Sequence, residues 1–225
     1  MLIDGKQVDS MAVEAATITN PSTGEAVAEV SMGGRADAIL ALEAAARAFP
    51  GWSRADPRDR GDLLRRGAEA VLDGVEEIAR LLTMEQGKPL RFARREVESS
   101  AEALDYYAGE GDRIFGEVVP VSRGSLSLVI RQPLGVAAVI SPWNYPVDLL
   151  AWKLAPALAA GCTVVAKPSS HTPLAATRFV MAIAGAGLPP GSPQPRPRFG
   201  AGSRQRAGGE LHPPEGLLHR GDGYG

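Results

Sequence analysis

The spacing of apolar residues changes character along this chain, and those changes divide it into elements. Through about Glu29, two short β-like pieces, Thr17 to Thr19 and Val27 to Val30, flank the turn signal Asn20-Pro21-Ser22-Thr23-Gly24 and predict an edge hairpin. From Ala36 the pattern becomes helical. Ile39, Leu42, Ala46 and Phe49 recur three or four positions apart, and Pro50-Gly51 is expected to stop the run. Asp56-Pro57 then opens a second helix, with an aspartate placed to cap it and a proline where a missing N–H costs nothing. Val71, Val75, Ile78, Ala79 and Leu82 continue as an apolar stripe ended by Gly87 and Pro89. Leu90 to about Glu110 predicts a long amphipathic helix, whose charges Arg94, Arg95, Glu96, Glu98 and Glu102 read as its solvated face.

After Gly124 the period drops to two. Leu126, Leu128 and Ile130 alternate with Ser125, Ser127, Val129 and Arg131, which predicts a strand near 125–131 with one covered face. Val136 to Ile140 is short enough for a buried strand. A helical stretch from about Val147 to Ala160 follows, with Leu150, Leu154 and Leu158 on one face and Gly161 at its end. Thr163 to Ala166 reads as a second buried strand, and Thr172-Pro173 opens a helix to about Ala186. Strand, helix, strand, helix with β-branched runs predicts an α/β fold with a parallel sheet covered on both faces.

Composition narrows the classes. The 225 residues carry a net charge of -2, with 44% hydrophobic and 22% charged side chains, the balance of a globular protein rather than a disordered one. Near-neutral charge disfavours nucleic-acid binding. Cys162 is the only cysteine, which excludes a disulfide scaffold. No apolar run is long enough to suggest a membrane span, and MLIDGKQVDS lacks the features of a signal peptide, so a cytoplasmic location is expected. Glycine and proline are uneven: nine and five of them fall within the 35 residues from Gly191 to Gly225.

Ligands of open α/β sheets sit beyond the carboxyl ends of the strands, which directs attention to Ser141 to Pro146 and Lys167 to Pro173. The first loop, Ile140-Ser141-Pro142-Trp143-Asn144-Tyr145-Pro146, sets a carboxamide between two rings. The second begins with Lys167-Pro168 at a strand end. No G-x-G-x-x-G follows the first buried strand. Taken alone, Asn144 suits a turn before Pro146 and Lys167 a surface charge.

Together these residues carry a resemblance. ISPWNYP, WKLAPALAAGCTVVAKPS and the upstream MEQGKPL resemble the aldehyde dehydrogenase superfamily. The likeness runs from about residue 3 to Gly191 and includes NPSTGE, AFPGW and AGLPPG. The wording of MEQGKPL and of NYPVDLLAWKLAPALAAGCTVV is most like the succinate-semialdehyde dehydrogenase branch. The resemblance implies an incomplete Rossmann-like parallel sheet with an amino-terminal helical segment, over residues 1–190. It also implies NAD(P)-dependent oxidation of a small aldehyde, such as succinate semialdehyde, to an acid. In the family a cysteine thiolate attacks the aldehyde, hydride passes to the nicotinamide, and a glutamate-activated water releases the acid. Asn144 falls at the position whose side-chain N–H stabilises the oxyanion. Ile140, Ser141, Pro142, Trp143, Asn144, Lys167, Ser169 and Ser170 fall at cofactor-contacting positions, with Lys167 reaching ribose hydroxyls. Ser170 departs from the K-P-x-E pattern of many NAD-preferring members, so NADP is expected to be accepted beside or in preference to NAD. No metal site is assigned.

Cys162, in A-A-G-C-T-V-V at the entry to a buried strand, is expected to be structural. The family's nucleophile and base motifs are not found in these residues, so the 225-residue chain is expected to be an inactive fragment. Intact family members are homo-oligomers. A rival reading is a non-catalytic interaction or regulatory protein that pairs with full-length homologues through the Leu126 to Ile130 strand.

Residues 191–225 read as a foreign, disordered tail. With a one-base shift, Pro193 to Gly200 can encode L-N-L-V-P-G-S, and Pro213 to Tyr224 can encode a sequence containing F-T-G-E-T-G-T, which resembles the family's continuation. The 20 arginines against four lysines suit a GC-rich gene. A flexible linker, a proline-rich ligand and an arginine-containing nucleic-acid arm are the alternatives.

Overall fold

The computed structural model describes residues 14–187 throughout, together with residues 2–3, 6–7, 10–11 and 197–198. Short strands β1 (Leu2–Ile3) and β2 (Lys6–Gln7) pair with each other. Strands β3 (Ala15–Thr19) and β4 (Ala26–Ser31) form the expected antiparallel hairpin. Its turn is closed by a 2.8 Å bond from Gly24 N–H to Asn20 C=O, with Gly24 at φ 72°, where glycine has no Cβ to clash. Four helices follow: α1 (Arg35–Arg54), α2 (Pro57–Asp73), α3 (Val75–Gln86) and α4 (Leu90–Glu110). After a 3-10 turn at Gly111–Arg113 come the antiparallel pair β5 (Glu117–Val119) and β6 (Ser127–Val129). The remainder alternates as β7 (Val136–Ile140), α5 (Asp148–Ala159), β8 (Thr163–Lys167) and α6 (Pro173–Gly185). Strands β7 and β8 are parallel, in register from Val136 opposite Thr163 to Ile140 opposite Lys167. Strand β9 (Pro197–Arg198) pairs with β4. The expectations for the rest of 191–225 lie outside the described residues.

Helix α2 starts as its sequence predicts. The Asp56 carboxylate accepts Arg58 N–H at 2.8 Å, and Pro57 occupies the first turn. Helices α2 and α4 lie so close that Gly61 is required: a Cβ there would stand 2.5 Å from the Ala108 carbonyl oxygen. The core gathers Leu64, Val71, Ile78, Leu82, Val97 and Leu104 from these helices with Leu150, Leu174 and Phe179 from α5 and α6. At the end of α5, Trp52 Nε1–H donates to Leu158 C=O at 3.1 Å and Arg60 Nε–H to Ala159 C=O at 3.1 Å, filling two carbonyls that helix geometry leaves open. Burial lowers the pKa of Arg60, against the opposing charges of Asp56 and Asp112.

Four expectations need correction. Helix α1 does not stop at Pro50 but runs to Arg54, because Pro50 forfeits only one N–H on an exposed face and Trp52 beyond it is buried and anchored. Nor does α1 bury the face marked by its large residues. Ile39 and Leu42 are exposed, while Ala41, Ala44 and Ala45 pack on Val165 of β8, since small side chains allow the closer approach. The β6 strand has no covered face among the described residues: Leu126, Leu128 and Ile130 are all exposed. Strand β7 is likewise only partly buried, with Val139 covered and Ile140 60% exposed. By contrast, β8 buries its first four residues between α1 and α5.

No described helix is long and apolar enough to cross a membrane.

Candidate functional site

The parallel register brings the two sequence-marked loops to one end of the sheet. Ile140 lies opposite Lys167, and Ser141 N–H donates to Lys167 C=O at 3.2 Å, so both loops leave their strands side by side. Ser141 is buried, and its Oγ has no hydrogen-bond partner among the described residues. An orphaned hydroxyl at this point leaves a donor and an acceptor for a bound group. Among the described residues Lys167 Nζ bonds only the neighbouring Pro168 C=O, at 3.2 Å, and Lys153 Nζ donates to Ile140 C=O at 2.6 Å. Trp143 is 58% exposed, and Asn144 is exposed with its carboxamide unpaired among the described residues. Ser169 Oγ accepts His171 N–H at 3.2 Å within its own turn, and Ser170 faces solvent. Pro142 is exposed. The structure therefore joins Ile140, Ser141 and Lys167 directly; it places Trp143 and Asn144 on one rim, and Ser169 and Ser170 on the other, without a hydrogen bond between the rims.

Behind the loops stands a set of residues to which the sequence reading gave no role. Gln86 Nε2 donates to Trp143 C=O at 2.7 Å and to Asn144 C=O at 2.8 Å. Lys88 Nζ donates to Asn144 C=O at 3.0 Å, pairs with Glu96, and lies 3.9 Å from the centre of the Tyr145 ring. Glu96 is not on a solvated face, as expected, but 3% exposed. Its Oε1 accepts Val147 N–H at 3.0 Å and Asp148 N–H at 3.3 Å, the entry to α5. Glu85, also buried, accepts Leu174 N–H at 2.7 Å and Ala175 N–H at 2.9 Å, the entry to α6. Burial pushes the Glu85 carboxyl up to about 8, helped by the charge of Glu96 and opposed by the two backbone N–H groups. A signal for both glutamates existed. Glu96 shares a stripe with Ala93, Val97, Ser100 and Leu104, and Glu85 follows Ile78, Leu81 and Leu82 on theirs.

Cys162 is buried and unpaired at the head of β8, remote in register from the Lys167 end, as a structural cysteine should be.

A parallel strand pair joined by a helical crossover, with exposed polar groups gathered beyond its carboxyl ends, is the arrangement at which α/β sheets take their ligands, commonly nucleotides. The residues present fit such a ligand, above all through the orphaned Ser141 hydroxyl. Comparison with known proteins fixes the lineage: residues 8–195 match the aldehyde dehydrogenase family, and the chain belongs to it. It is 41% identical over 192 residues to the mitochondrial succinate-semialdehyde dehydrogenase of Arabidopsis thaliana, covering 85% of this chain and 36% of that one. It is 39% identical over 191 residues to the NADP(+) succinate-semialdehyde dehydrogenase of Escherichia coli, covering 84% and 40%. The crystal structure of PnpE in complex with nicotinamide adenine dinucleotide superposes with a TM-score of 0.82 at 40% identity, covering 84% of this chain and 39% of that one. The chain thus spans well under half the length of the curated relatives it matches.

Proposed function

We propose that residues 1–190 form the amino-terminal, cofactor-facing part of a cytoplasmic NAD(P)-dependent enzyme that oxidises a small semialdehyde to its acid. The observation that carries this is the pairing of the two loops at the Ser141–Lys167 junction, with Trp143, Asn144 and Ser170 exposed around it. A bound nicotinamide nucleotide would supply the hydride acceptor. The Lys167 ammonium would donate to ribose hydroxyls, and Ser141 Oγ offers a buried donor and acceptor. Ser170 replaces the glutamate of the K-P-x-E pattern of many NAD-preferring members, and its lack of charge supports acceptance of NADP. Asn144, exposed and unpaired, offers two N–H groups to a developing oxyanion. Similarity to the succinate-semialdehyde dehydrogenases supports a semialdehyde as substrate.

These residues do not supply the nucleophile. Cys162 is their only cysteine, and it is buried away from the loops. We expect the purified 225-residue chain to bind NADP(+) in a titration of tryptophan fluorescence and to leave it unreduced when succinate semialdehyde is added. Binding that is absent, or unaffected by Lys167→Ala, would overturn the cofactor assignment; reduction of NADP(+) would overturn the inactivity. Re-sequencing the gene across the codons from Gly191 tests the shifted reading of the tail: an in-frame continuation into the family's catalytic motifs after a one-base change supports it.

One observation favours a second reading, a partner that pairs with full-length homologues. Both strands of the β5–β6 hairpin present apolar side chains to solvent, Val118 and Leu128 among them. Co-expression with a tagged full-length homologue tests it, since this reading requires the chain to be retained and Leu128→Asp to release it.

A further inference from the structure

The segment Glu85-Gln86-Gly87-Lys88 links the helical part of the chain to the first loop and to the start of α6. Gln86 and Lys88 bond to the first loop, and Glu85 to the first turn of α6 just beyond the second. Gln86 holds two successive carbonyls, of Trp143 and Asn144, with a single amide nitrogen, and its Oε1 is buried without a partner. That orientation follows from the acceptors, because the opposite one would set the amide oxygen against two carbonyl oxygens. Lys88 adds a third bond to the same stretch and covers the Tyr145 ring. Its side chain is only 12% exposed, and the buried Glu96 carboxylate compensates its charge. Glu96 passes the restraint on to Val147 and Asp148. The chain from Trp143 to Asp148 is thereby tied at Trp143, Asn144, Val147 and Asp148, while the side chain of Asn144 has no hydrogen bond among the described residues. Gly87 makes the geometry possible: at φ 80° it ends α3 in the left-handed region, and a Cβ there would meet Pro21 at 3.0 Å.

We propose that Gln86 and Lys88, backed by Glu96, are positioning residues: they hold the backbone of 143–148 so that the Asn144 carboxamide and the Trp143 ring are presented in one geometry to the bound nucleotide and the reacting carbonyl. This rests on reading that loop as cofactor- and oxyanion-facing. A loop that begins and ends in proline-containing turns and carries three exposed side chains, Trp143, Asn144 and Tyr145, has little packing of its own to hold it. A displacement of about 1 Å in such a group is enough to cost on the order of a hundredfold in a reaction it serves, so a dedicated backbone anchor has a clear use. Gln86→Glu is the most direct probe, because it keeps the shape and removes both donors. Lys88→Met removes the charge and strands Glu96, whereas Lys88→Arg keeps a donor.

The test is hydrogen exchange on the full 225-residue chain, with NADP(+) titration in parallel. Exchange at Tyr145 to Leu149 should quicken at least tenfold in Gln86→Glu while the β7–β8 ladder and α2 are unchanged, and Lys88→Arg should lie closer to wild type than Lys88→Met. Nucleotide affinity should fall several-fold in Gln86→Glu without loss of the folded state. Unchanged exchange in a folded Gln86→Glu overturns the proposal, and so does quickening spread evenly over the whole chain, which a merely structural role predicts. If Lys88→Met does not fold, Gln86→Glu alone decides. Should wild type bind no nucleotide while the loop still loosens in Gln86→Glu, the anchor stands and the nucleotide reading fails.

Discussion

Replacing Gly61 by alanine adds one methyl group, and its effect can be worked from a single distance. The new Cβ would stand 2.5 Å from the carbonyl oxygen of Ala108, and ordinary contact begins at 3.4 Å. Both partners are helix backbone, so no side chain can swing aside; α2 and α4 must separate by roughly 0.9 Å or bend. Overpacking of this kind costs about 1–3 kcal/mol, and a backbone-to-backbone overlap belongs in the upper half of that range. Alanine returns about 1 kcal/mol through helix propensity, leaving a net loss of about 1–2 kcal/mol. Gly51 supplies the control. It is helical and exposed, and a Cβ there meets nothing within 4 Å, so Gly51→Ala keeps the propensity gain of about 1 kcal/mol. In a domain of this size each kcal/mol moves the melting midpoint by roughly 2–4 °C. Thermal unfolding followed by far-ultraviolet circular dichroism should therefore put Gly51→Ala above wild type and Gly61→Ala below it. Midpoints shifted in the same direction by the two substitutions would refute the close approach of α2 and α4.

Stability should also depend on pH through Glu85. Its carboxyl is held near 8 in the folded chain against 4.5 ordinarily, so the folded state keeps a proton that the unfolded state releases. That contribution is complete below about 4.5 and is lost as pH rises through about 8; the melting midpoint of wild type relative to Glu85→Gln should fall between pH 6 and 9, and parallel curves would sink the argument. Ser170→Glu should favour NAD over NADP by at least tenfold relative to wild type in fluorescence titrations, because a carboxylate beside a 2′-phosphate is repulsive. Leu128→Ser should leave the melting midpoint nearly unchanged, since that side chain is 57% exposed, yet reduce self-association in sedimentation velocity.

The elements were legible because most are encoded locally. Asp56-Pro57 caps α2, Leu150, Leu154 and Leu158 line the buried face of α5, and the turn from Asn20 to Gly24 closes its hairpin, all as the residues imply. What misled was tertiary. In α1 the large apolar residues looked like the core face, yet the sheet lies against Ala41, Ala44 and Ala45, because proximity to β8 favours small side chains over greasy ones. In β6 the alternation is real, but no described element covers it. For the site, the loops were legible from strand ends and the Asn144 motif. Their supports were not, because a glutamate such as Glu96 reads as solvated until its neighbours on the apolar stripe are taken into account.

The same two glutamates bear on how a sheet without a glycine-rich phosphate loop would hold the proposed nucleotide. Where such a loop exists, the phosphate of the ligand takes the open N–H groups at a helix N-terminus and the positive end of its dipole. Here those groups are already occupied. Glu96 accepts from Val147 and Asp148 at the start of α5, Glu85 accepts from Leu174 and Ala175 at the start of α6, and Pro173 has no N–H to offer. The buried side chain at each helix entry takes the N–H groups an incoming anion would take elsewhere: Glu96 does so beside the Lys88 ammonium, and Glu85, whose carboxyl burial pushes up to about 8, does so without a charge at neutral pH. For the proposed nucleotide at this end of β7 and β8, that leaves side chains such as Lys167 and Trp143 to hold its hydroxyls and rings. That division of labour also accounts for the rigidity built behind the loops. If the occupied helix entries contribute little to orienting the proposed ligand, the loop backbone must do so, and that backbone is what Gln86, Lys88 and Glu96 hold.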